Sequence, residues 1–427
     1  MRCVHIFPLF GKELINGSEY YELMLSSHLA KLGMEVDIYA TTSNSIRIKS
    51  AFCIEWKEHY RLGREKIGDL NVYRYPSWTC PERLGLVLSK IIINRLNKEG
   101  VLSIHKSHNI YYEKALERPQ IYDLLARIGR GPYSSELLKA LKENINKYDI
   151  ILTGFLPFSL SHQVIKIAKK AGKKVVLLPL FHPDDLYHHW NYLYGYFEKS
   201  DAVLTLTEYS RKIVQDLFRD KVRNVRSVGA GVDLKSFLDS DVSGKRFRAK
   251  YRLESKKIVL FVGRKEKFKG YENAIQAVRN IKNPDIKFVI IGSDVDKKPI
   301  NDEFVLYLNK LERKELIDAY DSCDIFILPS EHESFGMVFL EAWARKKPVI
   351  GNGNCGPVTS LIDDDINGLL CRSVDEFSRA IVKLLSNRET AKKFGENGFE
   401  KVNREYTWDV VASKTAQIFD ELLSVKQ

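Results

Sequence analysis

The stretch Pro329-Ser330-Glu331-His332-Glu333-Ser334-Phe335-Gly336-Met337-Val338-Phe339-Leu340-Glu341-Ala342 concentrates groups that could hold an anion beside a polyol. An apolar run ends at Leu328, a turn follows, and the spacing predicts a helix from about Phe335. Amides in the first turn of a helix have no acceptor within it. Phe335, Gly336, Met337 and Val338 therefore offer N–H groups to a ligand such as a diphosphate. Gly336 permits close backbone approach. Glu333 stands just before the helix and Glu341 two turns into it, and each carboxylate can accept hydrogen bonds from sugar or ribose hydroxyls. Taken singly, Glu333 reads equally as a helix cap and Glu341 as a surface residue.

A second candidate is Val262-Gly263-Arg264-Lys265-Glu266-Lys267-Phe268-Lys269-Gly270. A strand runs into Gly263, a basic loop follows, and Gly270 opens a helix. Arg264 presents a planar fork to phosphate oxygens and Lys269 a point charge. The plainer reading is a solvated basic loop. A third is the loop Asn16-Gly17-Ser18-Glu19 after the first strand, where any strand-to-helix turn can carry glycine.

These residues need strand ends and helix starts to position them, and the pattern supplies both. Short apolar runs at Cys3–Pro8, Val36–Tyr39, Asp149–Thr153, Val175–Leu180 and Ala202–Leu206 read as strands. Helical patterns at Glu19–Leu32 and Ser161–Ala171 lie between them, with Gly33 and Gly172 as stops. Residues 41–148 are less regular and read as a helical insertion, with basic amphipathic stretches at 83–98 and 134–147.

After a break near 223–236 the alternation restarts. Strands are predicted at Lys257–Val262, Ile286–Ile291, Asp324–Leu328 and Pro348–Ile350. Helices are predicted from Tyr271, over Arg313–Ser322 and Phe335–Arg345, at 374–386 and 389–402, and over Trp408–Val425. Strand–helix repeats of this kind make a doubly wound parallel sheet, so the expected class is α/β with two Rossmann-like domains. The expected division is 1–228, 229–406 and a terminal helix over 407–427.

Composition agrees. In 427 residues the chain is 44% hydrophobic and carries 67 basic against 55 acidic residues, a net charge of +12. That excludes a disordered or collagen-like chain and exceeds one small core. No run is long and apolar enough for a membrane-spanning helix, and the N-terminal run reads as a buried strand rather than a signal peptide. Six dispersed cysteines read as reduced thiols of a cytoplasmic protein. The surplus charge is spread out and lacks an aromatic-basic motif, so no nucleic-acid partner is expected. Asp294-Val295-Asp296 and Asp363-Asp364-Asp365 could suggest a metal. Lys297 and Lys298 argue against a cation at the first, and the second reads as a solvated turn.

Together the three candidate loops resemble the family 4 glycosyltransferases, retaining enzymes of the GT-B fold in which two Rossmann-like domains face each other. The paired-glutamate signature is matched by Glu333 and Glu341, and the Gly-Arg…Lys-Gly loop by Gly263, Arg264, Lys269 and Gly270. Gly231-Val232-Asp233 with Phe237 is similar to the linker opening the second domain. Gly353–Gly356 and Asn367-Gly368-Leu369 are similar to later turns, and the last helix to one that crosses back to the first domain.

The resemblance implies that Glu333 contacts the donor sugar and Glu341 the ribose. Arg264, Lys269 and the amides at Phe335 to Val338 would hold the diphosphate. Gly17 would lie near the phosphate and acceptor. His182, in Leu180-Phe181-His182-Pro183, matches the family's cleft histidine near the sugar, against the plain alternative of a loop histidine. Two departures stand out: Asn16 replaces the first of two adjacent glycines, and Thr153-Gly154-Phe155 lacks the histidine often found there.

The aromatic run from Tyr187 to Phe197 could stack on sugar rings or pack in the core, with packing favoured for Tyr192 and Tyr196. Asp184 and Asp185 could orient acceptor hydroxyls or cap a helix. The expected activity is transfer from a nucleotide diphosphate sugar, with UDP or GDP as the base, to an acceptor hydroxyl on a glycan, a lipid-linked molecule or a small molecule. No metal or other cofactor is expected to be required, since basic groups and a helix terminus can neutralise the diphosphate. Peripheral contact with a membrane is a further expectation. The alternative is a nucleotide-sugar epimerase or another non-transferring enzyme on the same fold.

Overall fold

The structure is a computed structural model that describes residues 1–11, 17–103 and 107–424. The chain divides into two compact units. The first is residues 1–228 together with the chain from Val411 onward, and the second is residues 229–410. The helix Trp408–Ser424 therefore starts in the second unit and continues in the first.

The first unit is built on an eight-stranded sheet in the order Val225–Ser227, Ala202–Thr205, Lys174–Leu178, Ile150–Gly154, Arg2–Ile6, Glu35–Thr41, Leu70–Tyr75, Gly63–Ile67. All neighbours are parallel except the last pair, which is antiparallel. Central strands such as Ile150–Gly154 are buried along their whole length, which is why they read as continuous apolar runs. Helices Gly17–Lys31 and Leu160–Lys170 follow the strands Arg2–Ile6 and Ile150–Gly154, which are neighbours at the sheet's centre.

Residues 41–148 correct the expectation of a helical insertion. Helices occur from Glu82 onward, but before them come an antiparallel hairpin, Ser43–Ser50 with Cys53–Glu58, and the two edge strands of the sheet. The hairpin strand Ser43–Ser50 is mostly polar and half exposed, so it carries little of the apolar alternation that marks a strand. In Leu70–Tyr75 the alternation is interrupted because Arg74 is buried. Glu65, 2.8 Å away, offsets its charge.

The second unit is a six-stranded, wholly parallel sheet in the order Val305–Leu308, Ile286–Ile291, Lys257–Val262, Ile325–Leu328, Val349–Asn352, Gly368–Cys371. The strand Val305–Leu308 was not expected. Ile258, Val259, Leu260 and Phe261 are wholly buried between the helical layers. Each such side chain contributes about 1.5–3 kcal/mol relative to exposure. The turns at the carboxyl ends of the central strands Lys257–Val262 and Ile325–Leu328 carry the candidate residues, the usual ligand position in an open α/β sheet.

Candidate functional site

Two loops meet at the carboxyl end of the second sheet. One leaves the strand Lys257–Val262 and ends at Gly270, where helix Tyr271–Ile281 begins. The other leaves Ile325–Leu328 and ends at Gly336, where helix Met337–Ala344 begins. They are stitched by the Glu331 amide, which donates to the Phe268 carbonyl at 2.8 Å. Gly270 sits at φ +75°, and a Cβ there would collide with the Pro329 carbonyl. Glycine is thus required on both counts, conformation and space.

That stitching brings Lys269 and Glu333 together. The Lys269 ammonium lies 2.7 Å from Glu333 Oε1, with only 17% and 9% of the two side chains exposed. Phe268 sits between the cations: the Arg264 guanidinium and the Lys269 ammonium each lie 5.5 Å from its ring centroid. Arg264 pairs with Glu266 at 3.1 Å and keeps about half its surface exposed. It is a solvent-facing cation whose companion leaves donors of the guanidinium fork for another anion.

Gly336 occupies φ +98° and a Cβ would press at 2.8 Å on the Phe339 ring. It turns the chain into a helix whose cap residue supplies no side chain. Glu333 is therefore not the cap; it is committed to Lys269. Phe335 turns its ring inward, edge-to-face with Tyr406 at 5.5 Å, so its amide is the part left for a ligand. Met337 and Val338 stand in the first turn, where amides lack an intrahelical acceptor. Gly263 donates its amide to the Ile291 carbonyl at 2.9 Å, and a Cβ there would meet only ordinary contacts.

Glu341 is no free surface group either. Its two oxygens accept from Arg313 at 2.6 Å and from the Tyr320 hydroxyl at 2.7 Å. Burial and this carboxylate both push the Tyr320 phenol well up, so it remains a donor at neutral pH. Glu341 is thereby held in one orientation. Arg313 and Tyr320 were missed in the sequence. Their signal was a spacing of seven on a predicted helix, which places both on one face.

In the first unit, His182 lies half-buried in the loop after strand Lys174–Leu178. Its amide donates to His188 Nδ1 at 3.3 Å, and the two rings are 5.1 Å apart. Burial holds His188 well below its ordinary pKa, so the neutral ring can accept. Gly17 is the first residue of helix Gly17–Lys31. Asn16 lies outside the described residues.

The aromatic run is core. Trp190, Tyr194, Tyr196 and Phe197 are almost wholly buried, and Tyr192 receives a hydrogen bond from Arg130 at 3.1 Å. Asp185 caps a short helical turn through the Tyr187 amide at 2.9 Å. Asp184 accepts from Tyr209 and lies 3.1 Å from His108.

The acidic clusters are occupied by protein groups. Asp294 pairs with Lys265 at 2.7 Å, and Asp296 accepts from Tyr271 at 3.1 Å. Asp363 pairs with Lys401 at 2.7 Å and Asp365 with Lys383 at 2.6 Å, so this turn is ion-paired rather than merely solvated. Among the described residues no group of three or more acidic, His or Cys side chains could hold a metal ion. All six cysteines are buried free thiols.

Comparison with known proteins bears on this arrangement. Residues 244–401 match the family described as glycosyl transferases group 1, and this span holds Arg264, Lys269, Glu333 and Glu341. Spore coat protein SA of Bacillus subtilis is 26% identical over 244 residues, 51% of this chain and 64% of that protein. A GDP-mannose-dependent alpha-(1-6)-phosphatidylinositol monomannoside mannosyltransferase of Mycobacterium tuberculosis is 27% identical over 236 residues, 51% of this chain and 61% of that one. The chain thus spans less than two thirds of either relative.

Among solved structures, sucrose-phosphate synthase from Thermosynechococcus elongatus superposes with a TM-score of 0.69 at 17% identity, over 100% of both chains. At that identity the likeness speaks for the fold, two parallel-sheet units of the GT-B class. Within the matched residues 244–401, both glutamates are held by named partners, Glu333 by Lys269 and Glu341 by Arg313 and Tyr320.

Proposed function

We propose that the protein is a retaining glycosyltransferase moving a sugar from a nucleotide diphosphate sugar to an acceptor hydroxyl, in glycan, glycolipid or polysaccharide synthesis. The observation that carries this reading is the Lys269–Glu333 pair beside Arg264 and the start of helix Met337–Ala344. Cations and amides stand beside a carboxylate, as a sugar diphosphate needs.

In the proposed step the bond between the anomeric carbon and the phosphate oxygen breaks, and the diphosphate leaves with the electron pair. The acceptor oxygen bonds to the same face of that carbon and its proton passes to the departing phosphate oxygen. Arg264, Lys269 and the amides at Phe335 to Val338 stabilise the growing negative charge as preorganised donors. Glu333 positions the sugar and Glu341 the ribose. Because these groups supply positive charge themselves, no metal is proposed as a requirement. The resemblance alone assigns His182 a place near the sugar and Gly17 one near the phosphate and acceptor.

UDP and GDP are the proposed donor bases; the mycobacterial relative is named for GDP-mannose. No described helix is long and apolar enough to cross a membrane. The proposed location is the cytoplasm, with peripheral contact at the cytoplasmic membrane face, and no nucleic-acid partner. The test is product analysis with UDP- and GDP-sugars, with and without acceptors. Transfer with retained anomeric configuration is expected; release of an epimerised sugar nucleotide without acceptor overturns the reading.

A further inference from the structure

Two stretches of the first unit are basic and amphipathic in sequence, and the structure treats them differently. Helix Ser135–Asn144 turns Leu137 and Leu141 inward and leaves Glu136, Lys139 and Glu143 outside, as a packed surface helix should. Helix Glu82–Lys98 also buries one apolar row, Leu88, Ile92 and Leu96. Unlike the other, it exposes a second one: Leu84, Val87 and Ile91, at helical spacing, are 42–55% exposed.

Helix Gln120–Arg130 lies alongside, with the Arg95 guanidinium 5.5 Å from the Tyr122 ring and Arg118 paired to Glu99 at 2.7 Å. It buries Ala126 and Arg130 and exposes Ile121 and Leu124, at 54% and 45%. Two adjacent helices thus present apolar side chains to solvent, whereas scattered single exposures would need no explanation.

The charges on helix Glu82–Lys98 are mostly of one sign. Arg83, Lys90 and Lys98 are exposed on the same helix, and its one acidic residue, Glu82, lies 3.2 Å from Lys49. Residues 1–200 hold 28 basic and 20 acidic residues, a basic surplus over this part of the chain.

We infer that the exposed face of helices Glu82–Lys98 and Gln120–Arg130 is an interfacial docking surface for an anionic lipid bilayer. Leu84, Val87, Ile91, Ile121 and Leu124 enter the acyl boundary, and Arg83, Lys90 and Lys98 meet the headgroups. A second copy of the chain fits less well, because an isologous contact would set this basic face against itself. The inference deepens the proposed function by naming where a lipid-linked acceptor would be met, and it rests on that reading only for this purpose.

The test is co-sedimentation of the full chain with vesicles of phosphatidylcholine plus phosphatidylglycerol, against vesicles of phosphatidylcholine alone. Binding to the anionic vesicles that weakens with salt is expected. Lys90→Ala with Lys98→Ala, and Val87→Glu with Ile91→Glu, should each lower partitioning about tenfold or more. The milder Val87→Ser with Ile91→Ser is read in parallel, and thermal melting reports whether each variant is folded.

Three outcomes overturn the inference: no preference for anionic vesicles, equal partitioning by folded variants, or a wild-type dimer in light scattering that these substitutions dissociate. Transfer to a soluble acceptor is assayed separately. Failure to bind vesicles then removes the docking surface and leaves the transferase reading standing.

Discussion

Lys269 and Glu333 are 64 positions apart in sequence and 2.7 Å apart in space, each at the end of a loop that follows a buried parallel strand. Neither charge could sit in so enclosed a place alone. Removing one partner leaves the other uncompensated, at a cost of about 3 kcal/mol when such a pair is buried. Lys269→Ala and Glu333→Ala should each lower kcat/KM by about 100-fold or more. The double variant should lose far less than the two losses combined. Additive losses in a double-mutant cycle would show that the two residues act independently.

The loop junction makes a second prediction. Gly270→Ala places a Cβ against the Pro329 carbonyl in a left-handed backbone conformation. The chain must shift there, and the shift carries Lys269 away from Glu333. A stability loss of about 1–3 kcal/mol is expected in denaturant titration, together with activity loss resembling that of Lys269→Ala.

Tyr320 should affect donor affinity more than turnover. Tyr320→Phe keeps the ring and removes the 2.7 Å hydrogen bond to Glu341, leaving Arg313 as the remaining holder. If Glu341 binds the ribose, the KM for donor should rise about fivefold with kcat nearly unchanged. Steady-state kinetics separates the two constants, and a pure kcat effect would contradict the ribose assignment.

Acid should destabilise the first unit early. Burial pulls His5 down to about 3 and His189 to about 4, and holds His188 well below its ordinary value. A depressed folded pKa gives stability that is present above the unfolded pKa and lost as pH falls, here below about 6.5. At about pH 5.5 His5 and His189 each cost about 1.4 kcal/mol, roughly 3 kcal/mol together, and His188 acts in the same direction. Asp123 acts in the opposite sense: burial raises it to about 6, so its protonation favours the fold as pH falls through that value. Glu22, pushed well up by burial, acts with Asp123; His162, lowered to about 4, acts with the other histidines. Below about pH 6.5 the four histidines outnumber the two carboxyls, and thermal melting followed from about pH 6.5 to about pH 5 should show a fall. A flat profile would refute the sign.

Much of the second unit was legible in the sequence because its strands are buried on both faces. The runs Lys257–Val262 and Ile286–Ile291, and the helices Arg313–Ser322 and 374–386, have the same bounds in the structure. The edge strand Val305–Leu308 is apolar in sequence but only four residues long and half exposed throughout, and a run that short does not by itself distinguish a strand from a buried helix turn. The hairpin Ser43–Glu58 and the strand around Arg74 were illegible for a related reason. The first strand of the one has only Ile46 and Ile48 as apolar residues among polar ones, and the other hides a charge whose partner, Glu65, belongs to a different strand.

At the site, the glycines and charges could be read from spacing, but their pairings could not. That Glu333 meets Lys269 depends on the close approach at Gly270, which is a tertiary fact. The aromatic run from Tyr187 stayed open in sequence between sugar platform and core, with packing favoured for Tyr192 and Tyr196, because composition does not say which way a ring points. The buried Arg130 beneath it explains why the rings turn inward.

The central claim is that the second unit binds a nucleotide diphosphate sugar through Arg264, Lys269 and the helix start at Gly336. Thermal-shift titration of the full chain against UDP-, GDP- and ADP-sugars, without acceptor and with a metal chelator present, tests it most directly. At about 100 times Kd the expected stabilisation is about 2.7 kcal/mol. A saturable rise in Tm with a UDP- or GDP-sugar, lost in Arg264→Ala, is the predicted result. No rise with any member of the panel, or an equal rise in Arg264→Ala, would contradict it.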